Sequence, residues 1–578
     1  MRRILILIAV CTFSASGSAQ APRGSDTLSP GAINDSLKIL QDLDAKVRAN
    51  KQDAAAWSRR GLVAWSLAER ARVGNAPKTL DETRLGRLAD TSLRIAAQID
   101  SKNPYYRMAV GRFLIWSGVP TARFAAGGFF EAALDAARKT DDPNVHAESA
   151  IEFGRVAWRR YDALSNRRIE TTPGSAVRSI RTALNPSSPG VDAVQQPLKA
   201  VREIIESGSM ALPADLNGAH YYEEASKLFR EAYDAAPTNA RTFRHVAMTI
   251  ADKNRWTELE EFARKHTASV PWDPIGWMAL GLALQREGRS VPSAAAFDSA
   301  MSVIDPHERT RLDRLERVLP SGDSARQAKR TPAEQAAYGR LYWLLADPLW
   351  GQPGNESRVE YFARVTFAEL RWTVDELNVR GADTDRGDIY IRYGPPDIVA
   401  SFGPAVSDGN VDAMAVSTTW IYQSGLAFVF QGQATFATAH TARSDVDIVQ
   451  AMTQMQPIRW DNVAAPKIDS MPAQVVRFRG GKDSVDVFLA SDPPVDSIRA
   501  AMASGVVPIH ADAWLVGASS YHDSTGVESG GVKTFSRRVA PGSYLYRLEA
   551  SAPAVHRGAR SSGVLDASDN PATGIPMH

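Results

Sequence analysis

The stretch PWDPIGWMALGLALQREGRSVPSAAAFDSAMSVIDP, Pro271 to Pro306, decides how the first half of the chain is read. It opens and closes on proline-bearing breaks. Between them lie two runs with apolar residues at helical spacing: Trp277, Leu280, Gly281 and Leu284, then Phe297 and Ala300. Gly281 and Ala300 are small enough to let two helices approach closely, with Leu284 and Phe297 filling the space between them. The same punctuation stands 34 residues earlier, so Pro237, Pro271 and Asp305 keep one register. Ala225, Phe229 and Ala232 precede Pro237, and the middle unit carries Phe243, Ala247, Ile250 and Leu259. Further upstream, Trp57 and Gly61 repeat the spacing of Trp277 and Gly281. Leu85, Leu88, Leu93, Ala96 and Ala97 make a partner helix, and Tyr105 to Trp116, Ala122 to Ala137 and Glu148 to Leu164 continue in the same style. Pro, Gly and Ser then break the pattern from Thr171 to Pro213, around one expected helix near Val191 to Ser207.

A period of about 34 with a proline after the second helix resembles the tetratricopeptide repeat. The resemblance implies an α-solenoid over residues 31–310, with Trp57, Phe229, Trp277 and Phe297 in its core and a concave surface able to hold a protein or peptide.

The first residues place the protein. Arg2 and Arg3 are followed by the apolar run Ile4 to Val10 and by small residues from Ser14 to Ala19, the order of a secretory signal peptide. Gly17 and Ala19 fit the cleavage site, so residues 1–19 are read as a signal and the mature chain as periplasmic or secreted. Seven apolar residues are too few to span a bilayer, which takes about 20, and no later stretch is long enough. Cys11, the single cysteine, lies in the signal, leaving no thiol for a disulfide or a thiolate zinc site. The formal charge of +2 includes Arg2 and Arg3, so the mature chain is neutral, which argues against nucleic acid as a partner.

The second half changes character after a polar connector, Leu319 to Thr331. A helix from Ala333 to Ala346 runs into Asp347-Pro348, and Asn355, Glu356, Tyr361, Arg364 and Phe367 lie on another. Then comes DTDRGDIYIRYGPPD, Asp383 to Asp397, in which Ile389 to Tyr393 read as a strand ended by Gly394-Pro395-Pro396. Two more strands are expected at Thr418 to Tyr422 and Leu426 to Gln431. In order, Trp343, Asp347, Pro348, Asn355, Glu356, Tyr361, Arg364, Gly381, Thr384, Asp385, Arg386, Gly387, Tyr390, Tyr393, Gly394, Pro395, Pro396 and Asp397, with Trp420-Ile421-Tyr422 later, resemble the GWxTD domain of exported bacterial proteins. The resemblance implies an α+β unit over residues 331–460, although Ala382 stands where the family has its naming tryptophan.

Alternating stretches at Val475 to Arg479, Val485 to Ala490, Ala513 to Val516, Val532 to Val539 and Tyr544 to Ala550 suggest a β-sandwich over 471–555, with a loose tail at 556–578. The fold class expected is therefore multidomain α+β: solenoid, GWxTD-like unit, sandwich.

Catalytic templates are missing: no Gly-x-Ser-x-Gly elbow, no phosphate loop and no His-Glu-x-x-His helix. Asp383, Asp385 and Asp388 lack the further ligands of a calcium loop and read as solvated or arginine-paired carboxylates in a turn. No cofactor or metal is implied. The function expected is a non-catalytic exported scaffold; the alternative is an enzyme of undescribed type, a hydrolase for instance, with its site in the GWxTD-like unit. The residues singled out are Asn355, Glu356, Arg364, Asp385, Arg386, Tyr390, Tyr393 and Asp397, a charged set expected around the Tyr390 to Tyr393 strand and serving either as a structural network or as a ligand cleft.

Overall fold

The computed structural model describes residues 30–72, 80–118, 120–165, 169–171, 218–312, 315–319, 321–375, 379–396, 398–402, 415–422, 427–433, 467–481, 483–499, 508–517, 520–527, 530–552 and 557–567. The signal segment, the expected Val191 to Ser207 helix and Asp397 lie outside them. The chain divides into two compact units: Met1–Leu280 with Ser299–Ala325 and Arg364–Arg459, and Gly281–Asp298 with Arg326–Ala363 and Trp460–His578.

The first unit opens with α1 (Pro30–Ala49) and continues as packed helix pairs. These are α2 (Ala54–Arg72) with α3 (Glu82–Ile99), α4 (Pro104–Trp116) with α5 (Pro120–Ala137), α6 (Pro143–Ser165) with α7 (Ala219–Ala235), and α8 (Ala240–Asp252) with α9 (Trp256–Ser269). Along the chain follow α10 (Pro274–Arg286) and α11 (Ser290–Val303), each divided between the two units, then the short α12 (Pro306–Leu312) of the first unit and α13 (Ser321–Gln327), which runs across the boundary after Ala325.

One local device starts the first helix of each pair. The side-chain oxygens of Asp53, Asn103, Asp142, Asn239 and Asp273 accept backbone N–H groups of the opening turn at 2.9–3.1 Å. Proline follows three of these caps, at Pro104, Pro143 and Pro274, where its missing N–H costs nothing. A cap of this kind contributes about 1 kcal/mol. The second helices end in the expected 34-residue register: the N–H groups of Ala236, Val270 and Ile304 close the last turns of α7, α9 and α11 on Ala232, His266 and Ala300.

Each pair is locked by a small residue opposite a large one. A Cβ on Gly61, Gly111 or Gly154 would come within 2.8 Å of Leu93, Phe130 or Phe229 on the partner helix. In the second unit Gly281 stands against Phe297 in the same way. Trp57 and Trp277 anchor their loops, each indole N–H donating to the carbonyl six residues back, Lys51 at 3.0 Å and Pro271 at 2.8 Å.

The rest of the first unit packs the end of α15 (Glu356–Trp372) and α16 (Asp385–Tyr393) on an antiparallel sheet, β1-β2-β3-β4, formed by Ile169–Thr171, Ile398–Phe402, Ala415–Ile421 and Ala427–Gln433. Helix α16 corrects the strand expected at Ile389 to Tyr393. Thr384 caps its N-terminus, accepting from the Gly387 N–H at 3.0 Å. Asp385 and Asp388 sit in the first turn, where the helix dipole favours them, and Asp388 pairs with Arg392 at 2.8 Å. Gly394, at φ +78°, ends the helix. Branched and aromatic composition suggested a strand, but capping and tertiary packing override that preference.

The second unit contains α14 (Pro332–Ala346), opened by a capping box between Thr331 and Glu334, and a region of sheets. Strands β6 (Ala473–Gly481), β7 (Ser484–Ser491) and β10 (Lys533–Val539) form one sheet in the order β10-β7-β6. Strands β5 (Lys467–Ser470), β8 (Ile509–Val516), β9 (Ser520–Val527), β11 (Gly542–Ala552) and β12 (Arg557–Ala567) form the other, β5-β12-β11-β8-β9, with the short α17 (Val495–Arg499) preceding β8. Val487, Leu489 and Phe535 from the first sheet and Ala513, Leu515, Leu548 and Ala559 from the second share one apolar core. Strand β12 replaces the loose tail expected from residue 556. Its small, polar residues read as irregular, but it is held between β11 and β5, pairing antiparallel with one and parallel with the other.

Candidate functional site

On α6, Glu148, Glu152, Arg155 and Asp162 recur at helical spacing; on α8, Arg241, Arg244, His245 and Asp252 do the same. These polar stripes face each other and α4. Arg112 on α4 reaches Glu148 and Glu152, each at 2.8 Å, and Arg241 reaches Glu148 at 2.5 Å. Asp375, just beyond α15, completes the cluster: it pairs with Arg244, with Arg241 at 3.6 Å and with His245 at 3.5 Å. Burial pushes Glu152 up, but Arg112, Arg155 and Arg241 outweigh it and hold it at about 2. Burial acts the same way on Asp375, and Arg244 and its neighbours likewise hold it well below the carboxylate range. His245 is lowered, burial prevailing over the pull of Asp375. Four residues earlier, Arg371 pairs with Asp162 at 2.5 Å and Asp252 at 2.8 Å, its guanidinium lying 5.3 Å from the Trp158 ring. The stripes of α6 and α8 are therefore occupied by the chain's own Arg371 and Asp375.

The residues singled out from sequence divide between the two units. In the first, Arg364 is fully buried and donates to the carbonyls of Ile391 at 3.3 Å and Arg392 at 3.2 Å, covering the end of α16. Gly394 accommodates it, since a Cβ there would stand 2.9 Å from Arg364 Nη2. Tyr390 stacks on Phe367 at 4.7 Å, and Tyr393 packs on Phe428 at 5.1 Å. Both belong to the aromatic core between helix and sheet, with Trp420, Tyr422 and Phe430. Arg386 lies 5.4 Å from the Phe430 ring, and Asp385 occupies the first turn of α16. The neighbouring Asp383 pairs with Arg317 and Arg311. Gly381, Ala382 and Gly387 are buried: the backbone at Gly381 lies directly against Ala368 of α15, and Gly387 lies directly against the backbone of Gly381, so neither glycine has room for a Cβ.

In the second unit, Asn355 caps α15, accepting from Arg358 N–H at 2.9 Å and donating to the Trp343 carbonyl at 2.6 Å. Glu356 belongs to a group of carboxyls that sequence reasoning did not assemble. Glu549, on β11, accepts the N–H groups of Trp350 at 2.9 Å and Gly351 at 3.0 Å. Arg547 stacks 4.1 Å from the Trp350 ring and donates to the carbonyls of Asp347 and Leu345, and Arg560 donates to those of Asp347 and Pro348. Two cations thus meet the C-terminal carbonyls of α14, where the helix dipole favours them. Burial, reinforced by Glu356 and Glu549, raises the Asp347 carboxyl to about 8; burial and Glu549 raise Glu356 to about 7. Glu549 is raised as well, burial prevailing over the two amides. Asp347 and Glu549 lie some two hundred residues apart, so no local spacing could announce the group.

No protein-family model and no curated protein matches the chain. Among solved structures it is similar to YrrB, described as a TPR protein with an unusual peptide-binding site, at 12% identity and a TM-score of 0.25, over 46% of this chain and 94% of that one. It is also similar to the TPR domain of P58(IPK), at 15% identity and a TM-score of 0.14, over 52% of this chain and 87% of that one. The helix pairs themselves, rather than these likenesses, carry the repeat architecture.

Proposed function

We propose that the chain is a non-catalytic, exported scaffold whose helical repeat holds a protein or peptide partner. One observation carries this reading: consecutive helix pairs bury their apolar faces in one another, the stacking from which repeat proteins build binding surfaces. The signal-like first 19 residues support a site of action outside the cytoplasm, in the periplasm or beyond the cell. The ordered motif residues support a GWxTD-like unit over 331–460, and the shared core of the two C-terminal sheets supports a β-sandwich. The test uses the mature chain, residues 20–578, as bait for envelope proteins, followed by calorimetric titration of each purified candidate. Saturable binding is expected; the reading fails if no candidate titrates.

A second reading, an enzyme acting from the GWxTD-like segment, is favoured by one feature. Asp347 and Glu356 are raised to about 8 and about 7, the range of a general acid at neutral pH. A hydrolytic activity present in the mature protein and lost in both Asp347→Asn and Glu356→Gln would establish it in place of the scaffold.

A further inference from the structure

The stripes on α6 and α8 are occupied by Arg371 and Asp375, which leaves other faces of the repeat for a partner. A groove of about 340 Å³ lies on α3, α4 and α5. Its volume is at the lower end for ligand sites, suited to a few residues of extended peptide rather than to a folded face. Among the described residues that line it, Arg94 of α3 and Arg107 of α4 are the charged ones, and none is a carboxylate. Arg94 is 40% exposed, 5.5 Å from the Phe129 ring and paired at 2.8 Å with Asp90 one turn earlier on its own helix. Arg107 donates to the Ala132 carbonyl at 3.3 Å, which uses one of its five N–H donors. The rest of the lining is largely small: Gly128 with alanines of α3 and α5.

We propose that this groove binds a short peptide segment through an acidic side chain held by Arg94 and Arg107, with small neighbouring residues lying over the alanines and Phe129. The proposal rests on the partner-binding reading and adds to it the face used and the chemistry recognised. Guanidinia prefer carboxylates, which they meet with paired, charge-assisted hydrogen bonds. The groove also offers a clean block, because a Cβ on Gly128 would meet nothing within 4 Å and a larger side chain can grow into the open space.

The experiment measures fluorescence anisotropy of the mature chain with three labelled alanine-rich nonapeptides carrying Glu-Glu, Gln-Gln or Lys-Lys at the centre. The Glu-Glu peptide is expected to bind at least tenfold more tightly than the other two and to weaken as salt is raised. Gly128→Leu, and separately the pair Arg94→Gln with Arg107→Gln, should each reduce that binding at least tenfold with an unchanged melting temperature. Glu-Glu binding that survives Gly128→Leu in a folded protein overturns the groove while leaving the scaffold reading intact. Gln-Gln binding of equal strength, lost in Gly128→Leu, overturns the carboxylate assignment. Failure of all three peptides overturns the proposal, and the titration of envelope partners separately decides whether the scaffold reading falls with it.

Discussion

Arg364 shows what the charged set singled out from sequence does in the fold. Its guanidinium is buried against Gly394 and turned to the final carbonyls of α16, where a cation is favoured by the helix dipole. Arg364→Met keeps most of the volume but leaves those carbonyls without their donor. It should destabilise the protein by about 2–4 kcal/mol, since charged hydrogen bonds contribute about 1.5–3 kcal/mol and buried acceptors are costly to orphan. Urea unfolding followed by tryptophan fluorescence measures this, and a loss below about 0.5 kcal/mol would contradict the capping role. Asp347 gives a pH prediction. Folding raises its carboxyl to about 8, mainly through burial, from an ordinary value of about 3.9. A carboxyl raised by folding contributes its stability in full below the unfolded value and loses it as pH rises through the folded one. The melting temperature should therefore fall between about pH 4 and pH 8 more steeply in the native chain than in Asp347→Asn. Parallel curves for the two proteins would refute this. The sequence marked Asp347 only as a motif residue; its environment is made by Glu356 and by Glu549 on a distant strand, and burial of that kind has no local signature.

At the scale of elements, the repeat was legible because its signals are local and recur. Asn or Asp caps, prolines at the first helical position and small residues opposite large ones all depend on short spacing. Helix α16 was misread because Ile-Tyr-Ile composition favours a strand, while the deciding features were the Thr384 cap, the Asp388–Arg392 pair and aromatic neighbours on β3 and β4. Strand β12 escaped for the opposite reason: its residues carry little strand preference, and pairing on both edges fixes it. The small-to-large fit within pairs makes its own prediction. A Cβ on Gly111 would come within 2.5 Å of the Phe130 ring, deep between α4 and α5. Gly111→Ala should cost about 1–3 kcal/mol by overpacking, although alanine is the better helix former by about 1 kcal/mol. Phe130→Leu, destabilising alone through the volume it removes, should recover part of that loss when combined with Gly111→Ala. Strictly additive losses in urea denaturation would show that the two positions do not share one packing site.

At the scale of the whole molecule, the change from helical repeat to sheets was visible in sequence, but the division into units was not, because segments far apart in the chain share a unit. The helix pairs look as if they could stand alone, since residues 31–310 contain them all. Yet the first unit draws on Arg371 and Asp375, beyond that boundary, for charges inside its own network. A fragment ending at residue 310 keeps Arg155, Arg241 and Arg244 without Asp375, and Asp162 and Asp252 without Arg371. Removing one partner from a buried pair costs about 3–5 kcal/mol, against a total stability of about 5–15 kcal/mol for a typical domain. Two such losses, about 6–10 kcal/mol together, remove most of that stability. The 31–310 fragment should therefore show reduced helicity by circular dichroism and no sharp thermal transition, whereas a 31–433 fragment, which restores Arg371, Asp375 and the β1–β4 sheet, should recover much of both. A single substitution separates charge from missing chain: Asp375→Ala in the mature protein should lower the melting temperature by several degrees, and high salt, which screens the guanidinia left facing one another, should narrow the gap. If the short fragment instead melts cooperatively near the temperature of the mature protein, Arg371 and Asp375 are dispensable guests on the repeat, and the face they cover on α6 and α8 becomes available to a partner.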